Sequence, residues 1–182
     1  MTCIVGIIEK DTLYIGADSA GVFNYEITVR KDPKVFHVGP FLFGVAGSFR
    51  VMQILRFSFK PPKQKRAQDV YEYMCTDFIN EVRKSLKEGG VLNIKDEVQE
   101  HDAIFLVGYQ KRLFIIDADF QVGEHTENWN SVGLGSSYSL GALKILYPLT
   151  SINTREKVKL ALEAANHYCG GVCAPFNILH QK

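Results

Sequence analysis

Residues 2–19 read TCIVGIIEKDTLYIGADS, and this stretch decides the fold class. Residues 3–8 and 13–17 are rich in Ile, Val and Tyr, which favours β-strands, and the charged triplet Glu9-Lys10-Asp11 separates them. We therefore predict a β-hairpin that begins at the very N-terminus. A sheet built from the first residues of the chain holds the N-terminal residue rigidly, so chemistry at that residue becomes a reasonable expectation.

The rest of the chain predicts alternating groups of strands and helices. Hydrophobic periodicity and turn residues predict further strands at 34–38, 41–46, 103–109, 112–117, 120–122 and 174–179, and helices at 48–57, 67–87, 136–146 and 154–169. The order is strands, two helices, strands, two helices. We therefore predict the α+β class, with two antiparallel sheets between helical layers in a single domain over residues 1–182.

Composition excludes several function classes. The 182 residues carry 21 basic and 20 acidic side chains, a net charge of +1, which is too little positive charge for a dedicated nucleic-acid-binding protein. No apolar run approaches the roughly eighteen residues that a membrane span needs, so no membrane association is expected. The spacing of the four cysteines, at positions 3, 75, 169 and 173, matches no disulfide framework, which indicates reduced thiols in a cytoplasmic protein.

The second residue is a candidate nucleophile. Removal of Met1 is expected because a small residue follows it, and the chain would then begin with Thr2. A free Thr2 presents a hydroxyl and an α-amine on one residue, and an α-amine with a pKa of about 7.7–8.0 is well suited to accept the hydroxyl proton. We expect maturation by removal of Met1 alone.

Two charged residues at strand ends fit the same chemistry. Asp18 follows the second predicted strand, and Lys34 opens the third. A lysine ammonium beside the Thr2 hydroxyl would favour the alkoxide, and an aspartate would keep that lysine charged and oriented. Each residue taken alone is more typical of an ordinary surface charge.

These segments resemble the opening of proteasome β subunits and of the bacterial peptidase HslV (ClpQ). The resemblance rests on Thr2-Cys-Ile-Val-Gly, Ile15-Gly-Ala-Asp18-Ser and Lys34-Val-Phe, and it continues through Gly44-Val-Ala-Gly47-Ser, Asp102-Ala-Ile-Phe-Leu-Val-Gly and Gly133-Leu-Gly-Ser. It covers nearly the whole chain. It implies an N-terminal nucleophile (Ntn) hydrolase with a four-layer αββα sandwich, in which Thr2 attacks a peptide carbonyl and forms an acyl-enzyme that water hydrolyses.

The resemblance also implies roles for other residues. Lys34 and Asp18 match the activating pair, the backbone N–H of Gly47 matches the oxyanion donor, and Ser136 matches a hydroxyl position near the nucleophile. An apolar pocket for the residue before the scissile bond is expected from Val45, Phe49 and Met52. The alternative for those three residues is that they belong to the hydrophobic core.

Two departures from the family pattern concern proton transfer. Leu134 stands where these enzymes carry a serine that hydrogen-bonds near the nucleophile's amine. Asn166 aligns with an aspartate of the proteasome pattern, and Cys169 with its serine; against HslV, His167 falls on the aspartate and Cys169 on a cysteine. Both departures leave activity open while they preserve Thr2, Asp18 and Lys34.

Cofactor expectations are modest. No cofactor is expected for catalysis, but the resemblance to HslV implies a structural Na⁺ or K⁺ held by the backbone carbonyls of Asn166, Cys169 and Val172. An alternative transition-metal site at His167, Cys169 and Cys173 has helical spacing but lacks a fourth ligand.

Three functional hypotheses remain from the sequence. The first is a threonine peptidase subunit of a homo-oligomeric ring that cleaves unfolded polypeptide delivered by an AAA+ unfoldase similar to HslU, an arrangement implied by the resemblance. The second is a small-amide hydrolase on the same fold, because fold alone does not fix the substrate. The third is a catalytically inactive shell or interaction protein.

Overall fold

The strands of the protein cover most of its first and third quarters. A computed structural model describes residues 1–24, 26–95 and 98–182. The strands are β1 (Ile4–Glu9), β2 (Thr12–Ala17), β3 (Ala20–Phe23), β4 (Glu26–Val29), β5 (Val35–Val38), β6 (Phe41–Gly47), β7 (Leu92–Lys95), β8 (Val98–His101), β9 (Ala103–Tyr109), β10 (Arg112–Ile116), β11 (Val122–Glu124), β12 (Trp129–Val132) and β13 (Asn177–Gln181).

The helices form two groups, one in each half of the chain. They are α1 (Phe49–Phe57), α2 (Val70–Tyr73), a π-helical segment (Met74–Phe78) that leads directly into α3 (Ile79–Glu88), α4 (Ser136–Leu146) and α5 (Thr154–Tyr168). Helix α5 begins at the N-cap Asn153, whose side chain accepts a hydrogen bond from the N–H of Glu156. Within the described residues, no helix combines the length and the apolar character that crossing a bilayer would require.

Two antiparallel sheets form the centre of the fold. One sheet has the strand order β12-β1-β2-β13, the other β11-β10-β9-β6-β5, and the pairs β3-β4 and β7-β8 form separate hairpins. Three layers of buried side chains fill the spaces: one between the first sheet and α4–α5, one between the two sheets, and one between the second sheet and α1–α3. The predicted αββα sandwich is confirmed.

Strand β1 has an almost continuously apolar sequence because both of its faces are buried. Ile4 faces the other sheet, whereas Val5 and Ile7 face the helices, so both faces of the strand are buried. The sheets also approach closely: a Cβ at Gly108 would lie 1.6 Å from a methyl carbon of Leu13. The N-terminus therefore enters the molecule between two packed layers.

The structure also contains elements that the sequence did not predict. Hairpin β3-β4, strand β12 and hairpin β7-β8 lie in segments with polar residues or short apolar runs, and residues 96–97 lie outside the described residues. The helix predicted at 67–87 begins at Val70, after the N-cap Asp69, and contains the unpredicted π-helical segment. The strands predicted at 120–122 and 174–179 overlap the observed β11 and β13, which begin two and three residues later.

Candidate active site

Three predicted residues meet in one buried cluster. The Nζ atom of Lys34 donates to the Oγ1 of Thr2 at 2.8 Å and to the Oδ1 of Asp18 at 2.9 Å. Thr2, Asp18 and Lys34 are only 3%, 0% and 2% exposed. Strand geometry brings them together, because Thr2 precedes β1, Asp18 follows the paired strand β2, and Lys34 precedes β5 of the facing sheet.

Backbone N–H groups hold the Asp18 carboxylate in place. Its Oδ1 accepts from the N–H of Cys3 at 3.0 Å, and its Oδ2 from Ala20 at 2.8 Å and Cys173 at 3.4 Å. Together with the Lys34 ammonium, these donors satisfy a charge that would otherwise be costly to bury. The carboxylate is therefore a fixed anchor for the lysine.

The Lys34 ammonium lies under two opposing influences. Burial lowers the pKa of Lys34 below its ordinary value, and the Asp18 carboxylate opposes that shift. A lysine in this position has a proton that is easier to displace than that of an exposed lysine. It can lower the energy of a Thr2 alkoxide by hydrogen bonding and by charge.

Two glycines hold the main chain of Thr2. The carbonyl of Thr2 accepts a hydrogen bond from the N–H of Gly135 at 3.2 Å. Gly133 has φ = +95°, and a Cβ there would lie 2.4 Å from the Thr2 carbonyl oxygen. The turn between β12 and α4 therefore needs glycine at 133 to approach the nucleophile this closely.

In the unprocessed chain, Met1 covers the nucleophile. The Thr2 hydroxyl donates a hydrogen bond to the Met1 carbonyl oxygen, and the Met1 side chain, 56% exposed overall, packs against Gly171. The Thr2 nitrogen is an amide in this state, so it cannot act as a base. The hydroxyl is positioned but has no amine to accept its proton.

Thr2 opens onto a cleft of about 540 Å³. Gly47 lines the same cleft and has φ = +114°; a Cβ there would lie 2.4 Å from the carbonyl oxygen of Asp102, so only glycine fits. The other lining residues are Met1, Ala46, Glu100, His101, Asp102, Ala103, Ile104, Asp117, Ala118, Gly133 and Leu134. A larger cavity of about 670 Å³ is lined by residues that include the basic Lys63, Lys65 and Arg66, and none of the clustered residues lines it.

The structure does not bring Ser136 to the cluster. Ser136 is the first residue of α4, does not line the cleft, and its hydroxyl makes no hydrogen bond to Thr2 within the described parts of the chain. Leu134 does line the cleft and is 58% exposed. Position 134, where the family pattern has a serine, therefore presents an apolar side chain to the cleft.

A hydroxyl network that the sequence did not reveal lies beneath the nucleophile. The Oγ atoms of Ser131 and Ser139 are 2.7 Å apart, Ser131 donates to the carbonyl of Ile4 at 2.6 Å, and the Cys3 thiol lies 3.3 Å from the Ser139 Oγ. Burial raises the pKa of Cys3 to about 11, so the thiol stays protonated. The network links β1, β12 and α4 next to Thr2, and the sequence did not reveal it because Cys3 and Ile4 are separated from the two serines by more than a hundred residues.

Of the predicted apolar pocket, only Phe49 lies at an open surface. Val45 and Met52 are 3% and 2% exposed and pack in the core between the second sheet and its helices. Phe49 is half-buried; its ring lies 5.9 Å from the Lys34 ammonium and 3.9 Å from the Arg30 guanidinium, at a small cavity of about 270 Å³ beside hairpin β3-β4. Alternation along β6 turns Ala46, not Val45, toward the cleft.

The turn after α5 is where the predicted monovalent cation would lie. Cys169 and Val172 are buried, Asn166 is exposed, and the Cys169 carbonyl accepts the N–H of Val172 at 3.0 Å. That carbonyl keeps one lone pair for an ion, so the three carbonyls remain a prediction compatible with the turn. The described residues contain no cluster of three His, Cys, Asp or Glu side chains suited to a metal ion.

Comparison with known proteins confirms the resemblance seen in the sequence. No protein-family model matches the chain. It is 23% identical over 171 residues to a protein named ATP-dependent protease subunit HslV from Caldicellulosiruptor saccharolyticus, which covers 92% of this chain and 91% of that protein.

Solved structures show the same fold. Thiobacillus denitrificans BPH in complex with epoxomicin superposes with a TM-score of 0.84 and 19% identity, covering 99% of this chain and 98% of that one. HslV from Trypanosoma brucei gives a TM-score of 0.69 and 14% identity, with 98% of both chains covered. The chain therefore has the fold of the proteasome-like Ntn hydrolases.

Proposed function

We propose that the chain is a threonine peptidase subunit of a self-compartmentalising protease, with Thr2 as the nucleophile after removal of Met1. One observation carries the proposal: the Lys34 ammonium bridges the Thr2 hydroxyl at 2.8 Å and the Asp18 carboxylate at 2.9 Å, with all three side chains buried. The buried lysine of this pair donates a hydrogen bond to the hydroxyl of Thr2. This arrangement is suited to nucleophilic catalysis.

The reaction begins with proton transfer. Removal of Met1 gives Thr2 a free α-amine, which accepts the hydroxyl proton directly or through one water while Lys34 stabilises the developing alkoxide. The threonine oxygen then bonds to the carbonyl carbon of the substrate, and the carbonyl π-electrons move to its oxygen. The N–H of Gly47 would donate to that oxyanion at the floor of the cleft.

Collapse of the tetrahedral intermediate completes acylation. The carbonyl re-forms, the scissile C–N bond breaks, and the departing nitrogen takes the proton held by the Thr2 ammonium. Water then attacks the ester, with the amine again accepting a proton, and the threonine hydroxyl is released. Lys34 and Asp18 remain in their observed positions throughout.

Assembly into a ring, with an unfoldase partner similar to HslU, is the second part of the proposal. It is supported by the relative named as a subunit of an ATP-dependent protease, over 92% of this chain. It is also supported by apolar side chains on the surface, since Phe23, Val29 and Ile145 are 60–75% exposed. A chain that stays monomeric by light scattering at micromolar concentration would contradict the ring.

An inactive shell is the second candidate, and Leu134 is the observation that favours it. A leucine lines the cleft beside Thr2, and the nearby Ser136 makes no hydrogen bond to Thr2. Such a subunit would keep the sandwich without a complete route for the proton. The two candidates differ in whether Thr2 reacts.

Intact mass spectrometry after exposure to epoxomicin distinguishes them. Epoxomicin is bound by the similar BPH protein, and epoxyketones require both the hydroxyl and the free amine of an N-terminal threonine. We expect loss of one methionine and one covalent adduct, and neither adduct nor peptidase activity in Thr2→Ala. Thr12→Ala is the matched control, because Thr12 is a threonine at the far end of the hairpin, and it should react like the parent. A processed chain that never forms the adduct would overturn peptidase function and leave the inactive shell.

A further inference from the structure

A second opening, the cavity of about 670 Å³, lies at the far end of two central strands from Thr2. Gly47 and Ala103 line the cleft at one end of β6 and β9, whereas Phe41 and Tyr109 line the cavity at the other end. Each strand has seven residues, so about 20 Å separates the two places. The cavity is therefore distinct from the candidate active site.

One wall of the cavity is formed by the loop that joins α1 to α2, residues 58–69. Connections of this length without helix or strand are uncommon in a compact domain, and binding loops are frequent among them. Both ends of the loop are fixed. The Phe59 ring is buried and packs edge-to-face on Phe78 at a centroid distance of 5.5 Å, and the Asp69 carboxylate accepts the N–H of Tyr71 at 2.8 Å.

Hydrogen bonds also fix the middle of the loop. The side-chain oxygen of Gln64 accepts from the Tyr109 hydroxyl at 2.9 Å, and its amide nitrogen donates to the carbonyl of Gln68 at 2.7 Å. The Tyr73 hydroxyl donates to the carbonyl of Pro62 at 2.6 Å. The wall is therefore formed before any ligand arrives, which reduces the entropy cost of binding.

The buried side of the cavity is apolar. The rings of Phe41 and Tyr109 stack on each other at a centroid distance of 4.2 Å. The other apolar lining residues are Pro40, Pro61, Pro62 and Val70. A surface of this composition binds an aliphatic or aromatic side chain by removing its apolar area from water.

The outer side of the cavity is basic. Lys63, Lys65 and Arg66 line it, and all three are exposed. Neither Lys63 nor Arg66 forms an ion pair with a residue that the structure describes, and Lys65 lies 3.5 Å from Asp77. Asp69 is the one carboxylate among the lining residues, and it caps α2. The cavity therefore combines an apolar interior with a rim of unbalanced positive charge.

This combination identifies the chemistry of the occupant. The apolar interior favours a large apolar side chain, and the cations favour carboxylates on either side of it. A nucleic acid would pair with the cations but would leave the interior empty, because Phe41 and Tyr109 are only 1% and 8% exposed and offer little ring face for a base to stack on. The net charge of +1 also gives the chain no general attraction for a phosphate backbone.

We propose that this cavity docks an acidic segment of a partner protein. One aromatic or large aliphatic side chain of the segment enters the apolar interior, and neighbouring Asp or Glu carboxylates pair with Lys63 and Arg66. The proposal does not depend on the reactivity of Thr2, because the cavity and the cleft share no lining residue. A segment docked here leaves the cleft open to substrate.

Fluorescence anisotropy with labelled peptides tests the docking. The probe has blocked termini and the sequence Asp-Glu-Phe-Glu-Asp, and it is titrated with the Thr2→Ala chain, which lacks the proposed nucleophile. In one matched peptide, Asn-Gln-Phe-Gln-Asn, the charges are removed; in the other, Asp-Glu-Ala-Glu-Asp, the aromatic side chain is removed. We expect each to bind at least about tenfold more weakly than the probe in low salt. Equal affinity of the probe and either matched peptide overturns the proposal.

Charge-removing variants locate the binding site. The double variant Lys63→Gln/Arg66→Gln should bind the probe about tenfold more weakly than the parent and should leave the affinity for Asn-Gln-Phe-Gln-Asn unchanged. Lys31→Gln/Lys87→Gln is the matched control, because it removes two exposed lysines that do not line the cavity, and it should bind the probe like the parent. Equal loss in both double variants would indicate net charge alone and would contradict the assignment.

Two further measurements distinguish other occupants. If an oligothymidylate of equal charge displaces the probe as well as the unlabelled peptide does, the cavity rim binds any polyanion and the proposal is wrong. If light scattering shows a different mass for Lys63→Gln/Arg66→Gln than for the parent, a second copy of the chain occupies the cavity, which also overturns it. Unchanged mass with loss of probe binding supports the docking site whether or not epoxomicin labels Thr2.

Discussion

Two buried lysines of this chain each contact a carboxylate, but only one of them also contacts a reactive group. Lys34 lies 2.9 Å from Asp18 and donates to the Thr2 hydroxyl. Lys157 lies 3.0 Å from Glu9 and donates to the carbonyl of Tyr147 at 2.8 Å. The two pairs lie at opposite ends of β1, since Glu9 is its last residue and Thr2 precedes its first.

The carboxylates differ more than the lysines do. Asp18 is fully buried and held by three backbone N–H groups, whereas Glu9 is 22% exposed and receives a hydrogen bond from the Thr154 hydroxyl at 2.6 Å. The Lys157 pair ties the N-terminus of α5 to the sheet. The comparison teaches that burial of a lysine–carboxylate pair does not by itself identify a site; the third partner of the lysine does.

The largest expected effect is loss of reactivity in Lys34→Met. Removing the ammonium takes away both the hydrogen bond and the charge that favour the Thr2 alkoxide, so the rate of epoxomicin labelling should fall at least about 100-fold. The rate is followed by intact mass over time. Lys157→Met should label at the parent rate; if both variants lose labelling equally, the distinction between the two pairs is wrong.

The second largest effect is a loss of folding stability in Lys157→Met. Lys157→Met leaves Glu9 without its ion partner, but that carboxylate is 22% exposed and can regain water. We therefore expect a cost of about 1–3 kcal/mol in the free energy of unfolding, below the value for a fully buried pair. Urea denaturation measures it, and adding Glu9→Gln should recover part of the loss; an additive further loss would show that the pair is not coupled.

The two pairs should also respond to pH at opposite ends of the scale. Burial tends to raise the pKa of Glu9, but hydrogen bonds from Thr154 and Lys157 outweigh it and lower the pKa below the ordinary 4.5. The folded state then binds fewer protons than the unfolded state, so this contribution is present above pH 4.5 and lost as the pH falls through the folded pKa. The urea midpoint of Glu9→Gln should therefore approach that of the parent in acid.

At the alkaline end stability again rises with pH, but here the rise comes from relief of a penalty for burying the charged lysine. Burial lowers the pKa of Lys34 below 10.5, so the charged lysine costs stability below its folded pKa, and the cost is relieved as the pH rises toward 10.5. The parent should gain stability relative to Lys34→Met over that range. A flat difference between the two chains would show that Lys34 has no shifted pKa.

The smallest effect is expected from Leu134→Ser. The side chain is exposed and lines the cleft beside Thr2, so a hydroxyl there can hydrogen-bond the freed amine at little cost to packing. One such hydrogen bond corresponds to a rate increase of about fivefold in epoxomicin labelling. Leu149→Ser, an exposed leucine that does not line the cleft, is the control, and it should label at the parent rate.

Much of this architecture was readable from the sequence, for identifiable reasons. The strands 3–8 and 41–46 and the helix 154–169 carry strong periodicity, and they were predicted within one or two residues. Thr2, Asp18 and Lys34 lie at strand ends, where a local pattern and a family resemblance suffice to find them. Hairpins β3-β4 and β7-β8 were missed because each of their strands is only four residues long, too short for a periodic pattern to stand out.

The remaining features depend on contacts that no local pattern encodes. Both faces of β6 are buried, so alternation could show that Val45 and Ala46 point in opposite directions but not which of them faces the cleft. The Lys157–Glu9 pair likewise joins residues from separate elements. These features arise only when the two sheets pack against each other.

The three N–H donors to Asp18 come from positions 3, 20 and 173, so the carboxylate is fully ligated only when the two ends of the chain have met. Contacts of such long sequence separation carry a large loop-closure entropy, and in folding kinetics they form slowly. The complete set of donors to Asp18 would therefore form among the last events of folding. In a partly folded chain Thr2 would not react with epoxomicin. The onset of this reactivity would therefore report when the native topology is complete.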